Sequence, residues 1–211
     1  MQTSLGRALC KPVIKKLSFR AGITRLSGLV YEEVRGIAKI HLETILRDAL
    51  IFTSQARRTT LQEKDVSASL ANNGMKNSWI SGFPKKKKKK DNRAAFRMDD
   101  EDDAQQGPAP GGVRRTRRYR PGTRALMNVR KMQKSTDALI PRAPLKELVK
   151  EISRDFLADT RLGEKALDLI QQNLESFLIS LLSRALLCAI HAKRESVQPR
   201  DLQLARRMEL T

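Results

Sequence analysis

Two arginine–aspartate spacings carry the first chemical signal in this chain. Arg58 precedes Asp65 by seven residues, and Arg194 precedes Asp201 by the same interval. A turn that leads into a helix can bring such residues together, and the aspartate then lies in the first helical turn, where the helix dipole favours negative charge. One surface pair contributes little, whereas two at one register mark a repeated device. Other chemistry is sparse. Cys10 and Cys188 make neither a disulfide framework nor a zinc site. There is no glycine-rich phosphate loop and no carboxylate constellation, so no catalytic site is expected and no cofactor.

What remains is positive charge. The chain carries a net charge of +19 and has a pI near 10.5. Residues 1–84 hold 13 basic and 6 acidic groups, residues 85–118 hold 12 and 6, and residues 119–211 hold 17 and 11. The excess is spread along the whole chain, which predicts a polyanion held across folded surfaces, nucleic acid first. With 4% aromatic residues, base-stacking platforms for single strands are not expected. Contacts to a duplex backbone are.

The elements that position these residues are written twice. Thr24-Arg25-Leu26 recurs as Thr160-Arg161-Leu162, and Ala56-Arg57-Arg58 recurs as Ala192-Lys193-Arg194, both at an offset of 136. Between them Val34, Ala38, Leu42, Ile45, Leu46 and Ala49 match Ile170, Leu174, Leu178, Leu181, Leu182 and Ala185, spaced as one stripe of a helix. A helix from about Leu29 to Ala56 would be roughly 40 Å long, too long for a small domain to bury alone, so its stripe needs a partner helix. Val13, Ile14 and Leu17 precede the first long helix, and Leu148, Val149 and Ile152 precede the second. Short helices follow from about Gln62 and Gln198, with Pro199 suited to a first helical position. His41 takes the place of Phe177 on the stripe and reads as a core histidine. The fold class is therefore all-α: short, long, short, repeated.

The two copies occupy residues 1–81 and 114–211, joined by a disordered linker over 82–113 with six lysines (Lys85–Lys90), an acidic cluster and a Gly/Pro-rich end. The lysine run is open to two compatible readings, a solvated tether or a nuclear-localisation or DNA-touching strand. A flexible tether of that size spans roughly 35 Å, which permits pairing within one chain. No signal peptide or membrane span is expected, because the most apolar run, Phe177 to Ile190, is short and holds Arg184.

Lys11-Pro12-Val13-Ile14-Lys15-Lys16-Leu17 followed by Gly22-Ile23-Thr24-Arg25-Leu26-Ser27-Gly28-Leu29 closely resembles histone four. Arg118-Tyr119-Arg120-Pro121-Gly122-Thr123, Cys188-Ala189-Ile190-His191-Ala192-Lys193-Arg194 and Asp201-Leu202-Gln203-Leu204 closely resemble histone three. The order resembles the histone doublets of giant DNA viruses of the marseillevirus type. That resemblance implies two histone folds in one chain, forming an intramolecular handshake that acts as a pseudo-heterodimer. It also implies nucleosome-like wrapping of double-stranded viral DNA, in the virion and in the nucleus or viral factory of the infected cell.

By the same resemblance Arg25, Arg58 and Arg161 face the minor groove, with Arg194 beside the second loop, and the flanking basic residues Lys11, Lys15, Lys16, Arg57 and Lys193 lie along the DNA path. Arg118, Arg120 and Lys134 belong to an extra N-terminal helix that guides DNA, and Arg142 stands in for a missing arginine at Pro141. A four-helix contact through Cys188, His191, Arg194, Asp201 and Leu204 would join a second copy. Cys188 and His191 read there as a packed interface pair, with no metal. A second doublet resembling histones two-B and two-A is the other implied partner.

The chain departs from the family at Met127, Pro141 and Glu147, where DNA-facing arginines are expected, and at Ala68 and Asn72, which replace residues that dock the two-A/two-B pair. The segment before Lys11 reads as a stub lacking the basic tail. These departures predict a looser wrap. The alternative function is a histone-fold regulatory module that binds DNA or partners without wrapping.

Overall fold

The computed structural model describes residues 4–73, 119–157 and 160–208. The linker, its lysine run and Arg118 lie outside the described residues. In the first unit α1 (Ser4–Ala8) and α2 (Lys11–Arg20) precede β1 (Arg25–Leu26), α3 (Val30–Gln55), β2 (Thr60–Leu61) and α4 (Glu63–Asn72). The second unit runs α5 (Thr123–Lys134), α6 (Arg142–Phe156), β3 (Arg161–Leu162), α7 (Glu164–His191), β4 (Ser196–Val197) and α8 (Pro199–Arg207). The expected order short, long, short is present twice. Among the described residues the all-helical expectation is modified only by four two-residue strands in the loops.

Those strands join the units. β1 pairs in parallel with β4, Arg25 opposite Ser196, and β2 pairs in parallel with β3, Thr60 opposite Arg161. Each first loop therefore meets the other unit's second loop. The helices follow the same reciprocity: α4 and α2 pack on α7, α8 and α6 pack on α3, and α3 meets α7. The stripe residues Val34, Leu42, Leu46, Ile170, Leu178 and Leu182 fall in one continuous core with Leu17, Leu61, Leu148, Val197 and Leu202. Neither half encloses this core alone, so burial of each stripe, worth about 1.5–3 kcal/mol per large side chain, depends on the other half.

The pseudo-twofold relation passes through His41 and Phe177, repeat-mates that stack face to face with ring centroids 3.7 Å apart. His41 is buried, as expected. Its Nε2 lies 2.9 Å from Oδ1 of Asn173 on the second unit's long helix.

Two segments differ from the sequence expectation. The stub before Lys11 is a built element: α1 packs on α6 of the second unit, Ala8 and Leu9 are fully buried, and Arg35 Nε donates to the Leu9 carbonyl at 2.9 Å. Ser4 donates to Glu151, and Arg7 lies 3.4 Å from Glu147. The apolar Ala8-Leu9 pair, not basic charge, is what gives this segment its place. The second difference is α7, whose 28 residues are long and apolar enough to cross a membrane by length and composition, with a mean hydropathy of 1.5 over the relevant window. Its Leu174, Leu178, Leu181 and Leu182 are fully buried against protein, so that stripe of the helix is committed to the core.

The connection from α5 to α6 is pinned from both units. Arg20 Nη2 donates to the carbonyls of Ser135 and Asp137, each at 2.9 Å. Glu175 Oε1 accepts from the backbone N–H groups of Leu139 and Ile140 at 2.8 and 2.9 Å. Arg20 and Glu175 lie 3.7 Å apart, both nearly buried. Phe19, Val129 and Met132 seat α5 on α2.

Candidate nucleic-acid interface

Each long helix ends the same way. Arg57 and Lys193 adopt the left-handed conformation, with φ of 50° and 54°. Arg57 and Arg58 donate backbone N–H bonds to the carbonyls of Ser54 and Thr53, and Lys193 and Arg194 donate to Ile190 and Ala189. This is the Schellman arrangement, which ordinarily takes glycine at the left-handed position. A basic side chain there costs on the order of 1 kcal/mol of backbone strain. Both side chains are exposed.

The next residue turns inward. Arg58 donates from Nη1 and Nη2 to the two carboxylate oxygens of Asp65 at 3.0 and 2.7 Å, and Arg194 does the same to Asp201 at 3.1 and 2.6 Å. The spacing-based pairing of both arginines is thus present. Each aspartate also accepts from the backbone N–H of its helix N-cap, Gln62 or Gln198, completing a capping box. Burial alone would push both carboxyl groups up. For Asp65, hydrogen bonds from Arg58, Gln62 and Thr53 outweigh it; for Asp201, those from Arg194 and Gln198 do so, with the Arg194 and Arg200 charges adding. Both aspartates lie below the ordinary carboxylate range.

The reciprocal strand pairing gathers the loops into two edges. One holds Arg25 on β1 with Lys193, Arg194 and Glu195 before β4. The other holds Arg161 on β3 with Arg57, Arg58 and Thr59 before β2. The side chains of Arg25 and Arg161 are exposed. Arg25 Nη1 lies 3.0 Å from Glu195 Oε2, whereas Arg161 has its backbone N–H on Thr59, at 2.8 Å. Lys11, Lys15, Arg120 and Lys134 are exposed and Lys16 is half-buried. The starts of α2 and α6 have no side-chain cap and no acidic residue in the first turn, so their N–H groups are suited to an anion. Arg142, at the start of α6, is 3.1 Å from Asp168 and donates to the Glu164 carbonyl at 3.3 Å. Among the described residues no group of three or more His, Cys, Asp or Glu could hold a metal ion.

Residues 121–208, which run from the start of α5 to the end of α8, match the family model of the core histone domain, the domain shared by histones two-A, two-B, three and four. The second unit is thus similar to that domain.

This unit ends in an exposed apolar surface. Leu187 is 66% exposed, Ile190 58%, and Leu204 and Met208 50% each. Cys188 is half-buried beside them and His191 is exposed. Asp201, buried near this surface, accepts from Arg194 and from the Gln198 backbone N–H. Sequence reasoning missed Leu187, Ile190 and Met208. The signal was present: Leu187, Ile190 and His191 step by three and four off the buried stripe, and Met208 follows Leu204 by four. At the repeat-equivalent end of the first unit stand Ile51, Ser54, Ala68 and Asn72, a less apolar set.

Proposed function

We propose that this chain is a histone doublet that packages double-stranded viral DNA: two histone folds in an intramolecular handshake, the first resembling histone four and the second histone three. The reading rests chiefly on one observation, the reciprocal loop pairing that sets Arg25 and Lys193 on one edge and Arg57 and Arg161 on the other. A guanidinium fits a narrow minor groove, and uncapped helix starts hold the flanking phosphates. Such contacts bend a duplex without reading bases. Arg58 and Arg194 serve chiefly to shape the loops, while Arg25, Arg57, Arg161 and Lys193 meet the phosphates and groove. Lys11, Lys15, Lys16, Arg118, Arg120, Lys134 and Arg142 flank that path.

The apolar end at Leu187, Ile190, Leu204 and Met208 joins a second copy, and the Ile51–Ala68 end receives a doublet resembling histones two-B and two-A. The protein acts in the virion and in the nucleus or viral factory of the infected cell. Reconstitution on duplex DNA, with and without such a doublet, followed by nuclease mapping tests the whole. Protected fragments of discrete length, shorter than a full eukaryotic footprint, are expected. Duplex binding with no protected fragment under either condition would replace packaging by a regulatory role.

A further inference from the structure

The two DNA-facing edges are related by the internal repeat, yet they are not equal. Arg25 and Arg161 are repeat-mates, and the residues that precede their partner strands are Glu195 and Thr59. Glu195 lies 3.0 Å from the Arg25 guanidinium, with both side chains largely in solvent (62% exposed for Arg25 and 77% for Glu195). Thr59 brings no charge to Arg161. Among the described loop residues whose charge is not held by Asp65 or Asp201, the β1–β4 edge has Arg25, Lys193 and Glu195, and the β2–β3 edge has Arg57 and Arg161; the loop before β3 also carries Asp159, outside the described residues, so what distinguishes the β1–β4 edge is the Arg25–Glu195 pair itself.

We propose that Glu195 is a built-in competitor for Arg25, so that a duplex engages this arginine only by displacing a carboxylate. This rests on the reading that the edges hold duplex DNA. At Arg25 a phosphate must first break an exposed ion pair, a contact that is individually weak and therefore displaceable. The pair thus gates Arg25 without closing the edge, and freeing Arg25 steepens the salt dependence of binding, because each neutralised phosphate contributes about 0.9 to the slope of log affinity against log salt.

The test is a salt titration of binding to a nonspecific duplex by the full-length chain and its E195Q, T59E and R25Q/E195Q variants, with thermal melts confirming that each is folded. E195Q is expected to bind on the order of 2–5-fold more tightly at low salt, the equivalent of one exposed ion pair, with a slope steeper by about one. R25Q/E195Q should return that slope to the parental value, and T59E should lower it by about one. An unchanged slope and affinity for E195Q, while the parent binds duplex with a clear salt dependence, would overturn the competitor role and leave the packaging reading standing. Failure of every protein in the set to bind duplex would remove both.

Discussion

At the residue scale, Arg57 and Lys193 hold a left-handed backbone that ordinarily takes glycine, which on the proposed function keeps a cation for DNA at the expense of local stability. Arg57→Gly and Lys193→Gly are each expected to stabilise the fold by up to about 1 kcal/mol while weakening duplex binding, as read by urea melts alongside binding isotherms. Gly163 is the opposite case. A Cβ there would lie 2.8 Å from the Leu61 carbonyl oxygen, whereas one at Gly28 meets nothing within 4 Å. Gly163→Ala should cost about 1–3 kcal/mol and Gly28→Ala about 0.5 or less, compared by denaturant midpoints. Asp65 and Asp201 tie stability to pH. Their folded pKa values lie below the unfolded ones, so their contribution is complete above about pH 4 and is lost as pH falls through the lower folded values. An Asp65→Asn, Asp201→Asn protein should be less stable at neutral pH, and its melting temperature should change less than the parent's between about pH 5 and about pH 2. The seven-residue spacing made these pairs legible in the sequence. Glu195 was not, because one more surface acid has no signature until the strands place it beside Arg25.

Among the elements, periodicity carried the long helices almost to the residue: about Leu29 to Ala56 was expected and Val30–Gln55 is present. Their apolar stripes are long and unbroken, so propensity and packing agree. The start of the chain was misjudged because α1 is a single short turn with no period of its own, and its helicity depends on docking against α6. Leu9→Ala should therefore cost about 2–5 kcal/mol, although it precedes the repeated helices, and a thermal melt reads it directly. The β pairings were equally hidden, since two-residue strands leave no alternation to detect. Within α3, Gly36 has open space where a Cβ would go. Gly36→Ala should add about 0.5–1 kcal/mol through backbone entropy.

Across the whole molecule, the shared core means that the two units unfold together. One chain holds both, so the melting temperature of the handshake should not depend on protein concentration. Cleavage within residues 82–113 should make it do so, which differential scanning at several concentrations would reveal. The exposed Leu187–Leu204 surface predicts self-association, and Leu204→Asp should convert a dimer to a monomer in light scattering with the melting temperature little changed. The offset of 136 made the duplication legible, but it could not say that the second copy's loops close the first copy's edges. The His41–Phe177 stack has a consequence for partner choice. Were two first units to meet, imidazole would face imidazole across the axis. Were two second units to meet, each Asn173 amide would lose the ring nitrogen it now bonds. Only the mixed union satisfies both, so a molecule severed at its tether would still sort its halves into unlike couples.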